Sequence, residues 1–293
     1  MDAKLTIVDV TGSTNDDLLE AGKQGAPHGT GLAARTQTAG RGRRGHKWDS
    51  TAGNLLLSIV LRPRVDPAKY SGLAAVSGLA VLEALEKQGL ANEIGLKWPN
   101  DLVARGRKLG GILVEAARDN EGNPFAVCGI GVNVNYVPTE VPDGGLPAIG
   151  LSDLNENVPA VDMLLDEVYH AVIDAVDAWA ERLNAMEENT GSLAPVHGEY
   201  VAHLNWIGKH VIARSPAGDE QREASLKPSI PLDARASKQK TACDPSILRR
   251  RRCAPWANRA PQPPTQQHYQ AVKTHHAKQK SPATVMAAGL CKL

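Results

Sequence analysis

Four short clusters of glycine, polar and charged residues have the composition of a ligand-binding site. The first is the hydroxyl and amide triplet 13–15 (STN), and the second is the run 37–48 (QTAGRGRRGHKW). The third is 97–101 (KWPND), followed by 108–111 (KLGG), and the fourth is 129–133 (GIGVN). Glycine lets a ligand approach the backbone closely, and arginine and lysine bind carboxylate and phosphate oxygens. The clusters therefore predict a site for an anionic ligand.

The second and third clusters suit the activation of a carboxylate by ATP. In that reaction the carboxylate attacks the α-phosphate and pyrophosphate leaves, so catalysis depends on positioning and on stabilising negative charge. Lysine or arginine side chains hold the two anions together against their repulsion. Asp101, helped by Asn100, offers the oxygen ligands that Mg²⁺ prefers. Trp48 has an aromatic ring that can stack on a purine base.

Each cluster also has a purely structural interpretation. The run 37–48 would then be a solvated basic turn, and the triplet 13–15 would be a helix cap. Asp101 would cap a turn, and Trp98 is more typical of a core residue than of a ligand contact. A short hydrophilic run alone does not decide between these alternatives.

The elements around the clusters indicate an α+β fold. Alternating apolar residues predict an opening strand, after which the triplet 13–15 caps a helix. Apolar residues at helical spacing predict longer helices over 67–88 and 161–186. Short apolar runs separated by turns predict several strands between residues 30 and 134. Strands joined by short turns favour a mixed, mostly antiparallel sheet.

Charge and cysteine content divide the chain into two parts. Residues 1–221 contain 19 Lys and Arg against 29 Asp and Glu, whereas residues 222–293 contain 14 against 3. Cys128 is the one cysteine of the first part, so we do not expect a disulfide framework. This cysteine content fits a protein of the reducing cytoplasm. The amino end lacks a signal-peptide pattern, and no apolar run reaches the roughly 18 residues of a membrane span. We therefore expect a cytoplasmic protein with no membrane segment.

The sequence changes character near residue 220. Residues 208–213 predict the first strand of a small domain, but no partner strand is recognisable after it. The following residues are rich in Pro, Arg and Gln without apolar periodicity, which predicts disorder. We divide the chain into a body at 1–205, the start of a small domain at 206–220, and a basic tail at 221–293. One hypothesis for the tail is translation in a wrong reading frame.

Taken in order, the clusters resemble the motifs of the biotin protein ligase family. The resemblance covers about residues 5–205, together with the start of the small domain. It implies a fold similar to the catalytic domain of class II aminoacyl-tRNA synthetases, followed by an SH3-like barrel that is incomplete here. The matching strings are GSTN at 12–15, QTAGRGRRGHKW at 37–48, GNLLLSIVLRP at 53–63, LKWPND at 96–101, RKLGGILVE at 107–115 and GIGVNVN at 129–135.

The resemblance implies a two-step reaction that uses biotin, ATP and Mg²⁺. Biotin and ATP give biotinyl-5′-AMP and pyrophosphate, and a lysine of the biotin carrier domain of an acyl-CoA carboxylase then takes the biotinyl group. Arg43 and Lys108 are the expected catalytic residues, with Lys108 contacting both the biotin carboxylate and the α-phosphate. The other expected contacts are Ser13, Thr14, Asn15 and Gln37 with biotin, Arg41, Gly42 and Arg43 with biotin and the adenylate, Trp48, Asn100, Asp101 and Asn133 with the nucleotide, and Asp101 with Mg²⁺.

Two other functions stay open from the sequence. A lipoate ligase would share the fold and the adenylate chemistry, although the pair GRGRRG and KWPND argues against it. A protein that binds biotin or its adenylate but cannot complete transfer is the second alternative, because the barrel is incomplete.

DNA binding is not expected, since only 12 residues precede Ser13, too few for the winged helix of some family members. Dimers across the catalytic sheet occur in the family, so the resemblance also admits a homodimer.

Overall fold

The computed structural model describes residues 4–90, 93–139, 145–207, 210–214, 221–225 and 285–287. The described strands form a seven-stranded sheet and a separate three-stranded sheet. The first pair of strands in the larger sheet is parallel and its other pairs are antiparallel. The predicted α+β class with a mixed, mostly antiparallel sheet is therefore confirmed.

The larger sheet has the strand order β1-β2-β3-β7-β6-β5-β4. Its strands are β1 Leu5–Thr11, β2 Gly31–Gln37, β3 Leu55–Leu61, β4 Ile94–Lys97, β5 Asp101–Ala104, β6 Arg107–Arg118 and β7 Pro124–Val132. The helices are α1 Thr14–Lys23, α2 Leu73–Lys87, α3 Val161–Asn184 and α4 His197–Ala202. Helix α1 connects the parallel strands β1 and β2, as a parallel pair requires a crossover.

The sheet separates two apolar layers. Helices α2 and α3 pack on one face, where alternate residues of β3 from Leu55 to Leu61 join the main core. Helix α1 packs on the other face, where its Leu18 meets Val60 and Phe125 in a second cluster. Because side chains alternate across a strand, the residues of β3 between those of the main core face the α1 side. That face also carries the cavity described below.

The predicted helix over 67–88 is divided into two segments. Residues Pro67–Gly72 form a 3₁₀ turn, and the α-helix begins at Leu73. The side chain of Asp66 caps the turn by accepting a hydrogen bond from the Ala68 backbone N–H at 2.8 Å. Proline at the first position of the turn fits there because no intrahelical partner is required of its nitrogen.

The small carboxy-terminal sheet corrects one prediction. The strand β8, His210–Arg214, pairs antiparallel with β9, Gln221–Ser225, and parallel with β10, Val285–Ala287. The prediction that this strand lacks a partner is therefore wrong. The partner sequence QREAS has no apolar alternation, and ladder hydrogen bonds do not require it. The rest of the tail predicted as disordered at 221–293 lies outside the described residues.

Among the described residues, no helix combines the length and the apolar character needed to cross a bilayer. The longest, α3, extends over 24 residues from Val161 to Asn184 and carries acidic side chains along its exposed side. Its buried residues include Trp179, whose indole N–H donates to the Ser192 carbonyl at 2.8 Å. The helix is therefore amphipathic and packs one side on the sheet.

The close packing of α1 on β7 gives a first testable prediction. A Cβ at Gly22 would overlap the ring of Phe125, which is fully buried. We expect Gly22→Ala to lower the free energy of unfolding by about 1–3 kcal/mol because of this overpacking. Gly198→Ala in α4 is the matched control, since no atom lies within 4 Å of its Cβ. The control should be neutral or slightly stabilising in urea unfolding; equal effects at the two positions would contradict the packing.

Candidate functional site

The residues predicted to bind ligand all line the same cavity on the α1 face of the sheet. The cavity has a volume of about 630 Å³. The predicted residues that line it are Ser13, Thr14, Asn15, Gln37, Arg41, Gly42, Arg43, Trp48, Asn100, Asp101, Lys108 and Asn133. Residues as far apart in sequence as Ser13 and Asn133 are therefore brought to one place by the fold.

One end of the cavity is a buried polar pocket at the start of α1. Ser13 is the helix cap, as predicted, and its Oγ accepts a hydrogen bond from the Asp16 backbone N–H at 3.4 Å. The Thr14 backbone N–H donates to Gln37 Oε1 at 2.8 Å. Gln37 Nε2 in turn donates to Ser50 Oγ at 2.8 Å. These bonds fix a row of hydroxyl and amide groups along the cavity wall.

The same pocket contains Ser58, which the sequence analysis did not single out. Its hydroxyl is fully buried, lies 2.7 Å from Thr14 Oγ1 and donates to Asn15 Oδ1 at 2.6 Å. Asn15 Nδ2 donates to Glu115 Oε2 at 2.9 Å, so Glu115 of β6 also belongs to the network. The available signal was one polar residue within an apolar strand, in LLLSIVL and in GGILVE.

The glycine- and arginine-rich run forms a small hairpin, which we call the Gly/Arg hairpin (residues 40–48). The Trp48 backbone N–H donates to the Gly40 carbonyl at 3.0 Å, and the Gly42 N–H donates to the His46 carbonyl at 2.7 Å. Gly45 at its tip has φ +75°, a conformation that favours glycine. The run is thus a structured turn that lines the cavity, and not the plain solvated turn of the alternative interpretation.

Both arginines of this hairpin that were predicted as ligand contacts bond to the body of the protein. Arg41 Nη1 and Nη2 each lie 3.1 Å from a Glu115 carboxylate oxygen, and the guanidinium also bonds to Asp16. Hydrogen bonding to Glu115 and Asp16, against the effect of burial, raises the pKa of Arg41. Arg43 Nη1 donates to Asn100 Oδ1 at 3.0 Å. The hairpin is therefore attached at two points across the cavity.

Glycines of β6 and β7 form the floor of the cavity. Gly111 and Gly131 are opposite each other in the antiparallel ladder, as are Leu113 and Gly129. A Cβ on Gly131 would lie 2.5 Å from Trp48 Cε2, and one on Gly129 would overlap Asn15 Oδ1. The missing side chains therefore allow Trp48 and Asn15 to lie directly on the sheet.

Asp101 is placed between two lysines. Its Oδ2 lies 2.8 Å from Lys97 Nζ and its Oδ1 lies 2.9 Å from Lys108 Nζ. Burial alone would raise the pKa of Asp101, but the two ammonium groups outweigh it and hold the pKa below its usual range. Asp101 is therefore ionised at neutral pH and fixes both lysines. Lys97 belongs to the third predicted cluster, and its side chain also lines the cavity.

An irregularity in the sheet positions Lys108. Between β5 and β6 the register shifts, so that Leu109 is an extra residue between Lys108 and Gly110. Such bulges re-aim side chains and are frequent near functional sites. The Lys108 ammonium thereby lies 5.5 Å from the centre of the Trp48 ring, in a cation–π contact.

The predicted Mg²⁺ ligand does not fit this arrangement. Both carboxylate oxygens of Asp101 bond to ammonium groups, and these two positive charges oppose the binding of a cation there. Within the part of the chain that the structure describes, no three His, Cys, Asp or Glu side chains group closely enough to hold a metal. Asp101 is therefore the counter-ion of Lys97 and Lys108.

Three buried polar atoms of the cavity lining lack a hydrogen-bond partner within the described protein. They are Arg41 Nε, Trp48 Nε1 and Asn133 Oδ1. Asn133 is 2% exposed, and its Nδ2 donates to the Ile149 carbonyl at 3.2 Å, which fixes its side chain. Buried polar groups are normally bonded, so three unpaired ones around one cavity indicate a polar ligand.

Comparison with known proteins places this arrangement in one family. Residues 7–135 match the model of the Biotin/lipoate A/B protein ligase family. A biotin–acetyl-CoA-carboxylase ligase of Mycobacterium tuberculosis is 37% identical over 223 residues, which are 74% of this chain and 77% of the relative. A ligase of the same name from Paracoccus denitrificans is 34% identical over 211 residues, or 70% of this chain and 82% of the relative.

A solved structure agrees with these sequence matches. The biotin protein ligase from Aquifex aeolicus in complex with biotin and ATP superimposes with a TM-score of 0.61 and 28% identity. The match covers 76% of this chain and 86% of that chain. The fold and the site thus define a member of the biotin and lipoate ligases. Within that group, the chain belongs to the biotin protein ligase family, which confirms the resemblance seen in the sequence.

The lysine pair around Asp101 gives a second prediction. We expect Asp101→Asn to lower the free energy of unfolding at pH 7 by about 3 kcal/mol, because two ammonium groups then lack their counter-ion. The folded pKa of Asp101 is lowered, so this stabilisation is present above the unfolded pKa of about 4 and is lost as pH falls through the folded value. Urea unfolding from pH 7 down to about pH 2 measures the difference between the two proteins and its loss in acid.

Asp174→Asn on the exposed side of α3 is the matched control for this prediction. It makes the same chemical change away from the lysines and should leave stability within about 0.5 kcal/mol at every pH. If Asp101→Asn behaved like the control, the carboxylate would not be the element that holds Lys97 and Lys108.

Proposed function

We propose that the chain joins biotin to a biotin carrier domain in two steps. Biotin and ATP first give biotinyl-5′-AMP and pyrophosphate, and a carrier lysine then attacks the mixed anhydride and releases AMP. The observation that carries the proposal is the convergence of the twelve predicted residues on one cavity with three unpaired polar atoms. Membership of the biotin protein ligase family supports the choice of biotin, and the Aquifex relative is a complex with biotin and ATP.

The pocket at the start of α1 suits the fused ring end of biotin. A urea group has one carbonyl acceptor and two N–H donors, so it needs both kinds of partner. Thr14, Asn15 and Gln37 supply hydroxyl and amide groups that are buried or half-buried and held by fixed hydrogen bonds. We assign these residues, with Ser13, to that end of the substrate.

The positive groups at the middle of the cavity suit the reacting centre. Lys108 and Arg43 line the cavity. Asp101 holds Lys108 by an ion pair, and Asn100 holds Arg43 by a hydrogen bond. Two anions, the biotin carboxylate and the α-phosphate, must approach each other before the C–O–P bond forms. Preorganised cations lower the cost of that approach and stabilise the charge that develops on phosphorus. We therefore assign Lys108 and Arg43 to this step.

The part of the cavity that Trp48 and Asn133 line suits the nucleotide. Each contributes an unpaired polar atom, Nε1 and Oδ1, and the indole offers an aromatic surface. Asn100 joins this end to the hairpin, because its Nδ2 donates to the Ile112 carbonyl at 3.0 Å while its Oδ1 accepts from Arg43. We assign Arg41, Gly42 and Arg43 to cover the adenylate and keep it from water.

This assignment predicts that Arg43→Gly releases biotinyl-5′-AMP into solution. Loss of a charged hydrogen-bond donor at the reacting centre should raise the dissociation rate of the adenylate at least about tenfold. The rate is measured by trapping free biotinyl-5′-AMP after a single turnover with labelled ATP. Arg64→Gly, at an exposed position after β3, is the control and should leave the rate unchanged. An unaltered rate in Arg43→Gly would refute the role of the hairpin.

Substitutions of Gly129 and Gly131 should each affect the binding of a different substrate. Gly129→Ala displaces Asn15, and Gly131→Ala displaces Trp48. We expect the first to raise the KM for biotin and the second to raise the KM for ATP, each by about tenfold or more. Pyrophosphate exchange measures both constants in both variants, so each variant serves as the control for the other. The same effect on both substrates in both variants would contradict the assigned orientation.

The decisive experiment is transfer of labelled biotin to a biotin carrier domain with ATP and Mg²⁺. Labelling that depends on Lys108 and Arg43 supports the proposal for the whole reaction. Pyrophosphate exchange without labelling would instead support the alternative of a protein that makes the adenylate but cannot complete transfer. Exchange that requires lipoate in place of biotin would favour the lipoate ligase, and absence of exchange with either acid would refute the proposal.

A further inference from the structure

Glu115 connects two parts of the site that are far apart in sequence. It lies on β6, on the face of the cavity, and its side chain is 27% exposed. One carboxylate oxygen accepts from Asn15 Nδ2 at 2.9 Å, and the two oxygens accept from the Arg41 guanidinium at 3.1 Å each. A bidentate arginine–carboxylate pair is a directional and comparatively strong contact. Glu115 thus bonds both to the ring-binding pocket and to the Gly/Arg hairpin.

The chemistry of a carboxylate also fixes the direction of the hydrogen bonds beyond it. An ionised Glu115 only accepts, so Asn15 must turn its amide NH₂ toward it. Asn15 Oδ1 then faces Ser58, whose hydroxyl donates to it at 2.6 Å. The Ser58 oxygen is left as an acceptor toward Thr14 Oγ1, which lies 2.7 Å away and shares its one hydroxyl hydrogen between Ser58 and Gln37 Oε1 at 3.0 Å. One charge therefore determines which atoms of Asn15 and Ser58 are donors and which are acceptors.

We infer that Glu115 is a positioning residue that couples the donor and acceptor pattern of the biotin pocket to the closed placement of the Gly/Arg hairpin. It acts through Asn15 at one end and through Arg41 at the other, and it does not take part in bond making. The inference rests on the proposed function, because the pocket and the hairpin are assigned there to biotin and to the adenylate.

The test is Glu115→Gln, which keeps the size of the side chain and removes its charge. A glutamine has a single acceptor oxygen and adds an NH₂ group, so it cannot accept from Asn15 and from both Arg41 nitrogens. We expect the KM for biotin and the dissociation rate of biotinyl-5′-AMP each to rise about tenfold. The kcat of pyrophosphate exchange should change less than about threefold, because Lys108 and Arg43 keep their partners.

Two further variants separate coupling from a general loss of structure. Glu121→Gln makes the same change in the exposed turn before β7 and should leave every constant unchanged. Arg41→Gln combined with Glu115→Gln should release the adenylate no faster than Arg41→Gln alone, since Glu115 acts on the hairpin through Arg41. Additive effects on release, or an unchanged KM for biotin in Glu115→Gln, would overturn the inference.

A measurement that needs no catalysis tests the coupling by Glu115 independently of the proposed function. Trypsin cleaves after the basic residues of the hairpin, and the cleavage products are identified by mass spectrometry. We expect Glu115→Gln to be cleaved within residues 40–48 about tenfold faster than the parent chain, with cleavage elsewhere unchanged. An equal rate would overturn the coupling whether or not the parent chain exchanges pyrophosphate. Faster cleavage in a chain that makes no adenylate would support the coupling while refuting the proposed function.

Discussion

The site depends on the absence of side chains from one face of two neighbouring strands. Gly129 and Gly131 of β7 leave the sheet bare where Asn15 and Trp48 lie against it, and Gly111 of β6 does the same beside Lys108 and Asp101. Glycine in a strand lowers stability because it loses conformational entropy on folding. Here the glycines create a concave surface between α1 and the Gly/Arg hairpin. The opposite face of the same strands carries buried apolar residues under α2 and α3, so the sheet supports both a core and a cavity.

Much of the fold could be predicted because its signals are local. Helical spacing predicted α3 and the α-helical part of 67–88, and apolar runs between turns predicted most of the larger sheet. The weakest signal in the larger sheet is that of β5, whose four residues lie between Pro99 and a tight turn at Arg105 and Gly106. So short a segment has no measurable periodicity, and it forms a strand because β4 and β6 pair with it on both sides.

Some residues of the candidate site could be predicted from the sequence, and others are evident only from the fold. Clustered motifs predicted the residues that line the cavity, since glycine, arginine and asparagine are conspicuous when they stand together. The residues that hold those side chains were missed, because their roles depend on the pairing of distant strands. Ser58 and Glu115 are single polar residues in apolar strands. Lys97 lies in a predicted cluster, but its pairing with Asp101 is evident only from the fold. The pairing of Asp101 with two lysines, which bears on its expected role toward magnesium, is likewise evident only from the fold.

The last described segment of the body also protects the sheet. The Leu96 backbone N–H donates to the His203 carbonyl, and the Asn205 N–H donates to the Leu96 carbonyl, each at 2.8 Å. Residues 203–205 therefore cover the edge strand β4, beside the KWPND motif, in the manner of a short eighth strand. Unpaired strand edges favour association between molecules. A chain shortened to end before His203 would expose this edge, so the residues after α4 protect the sheet from association with other molecules.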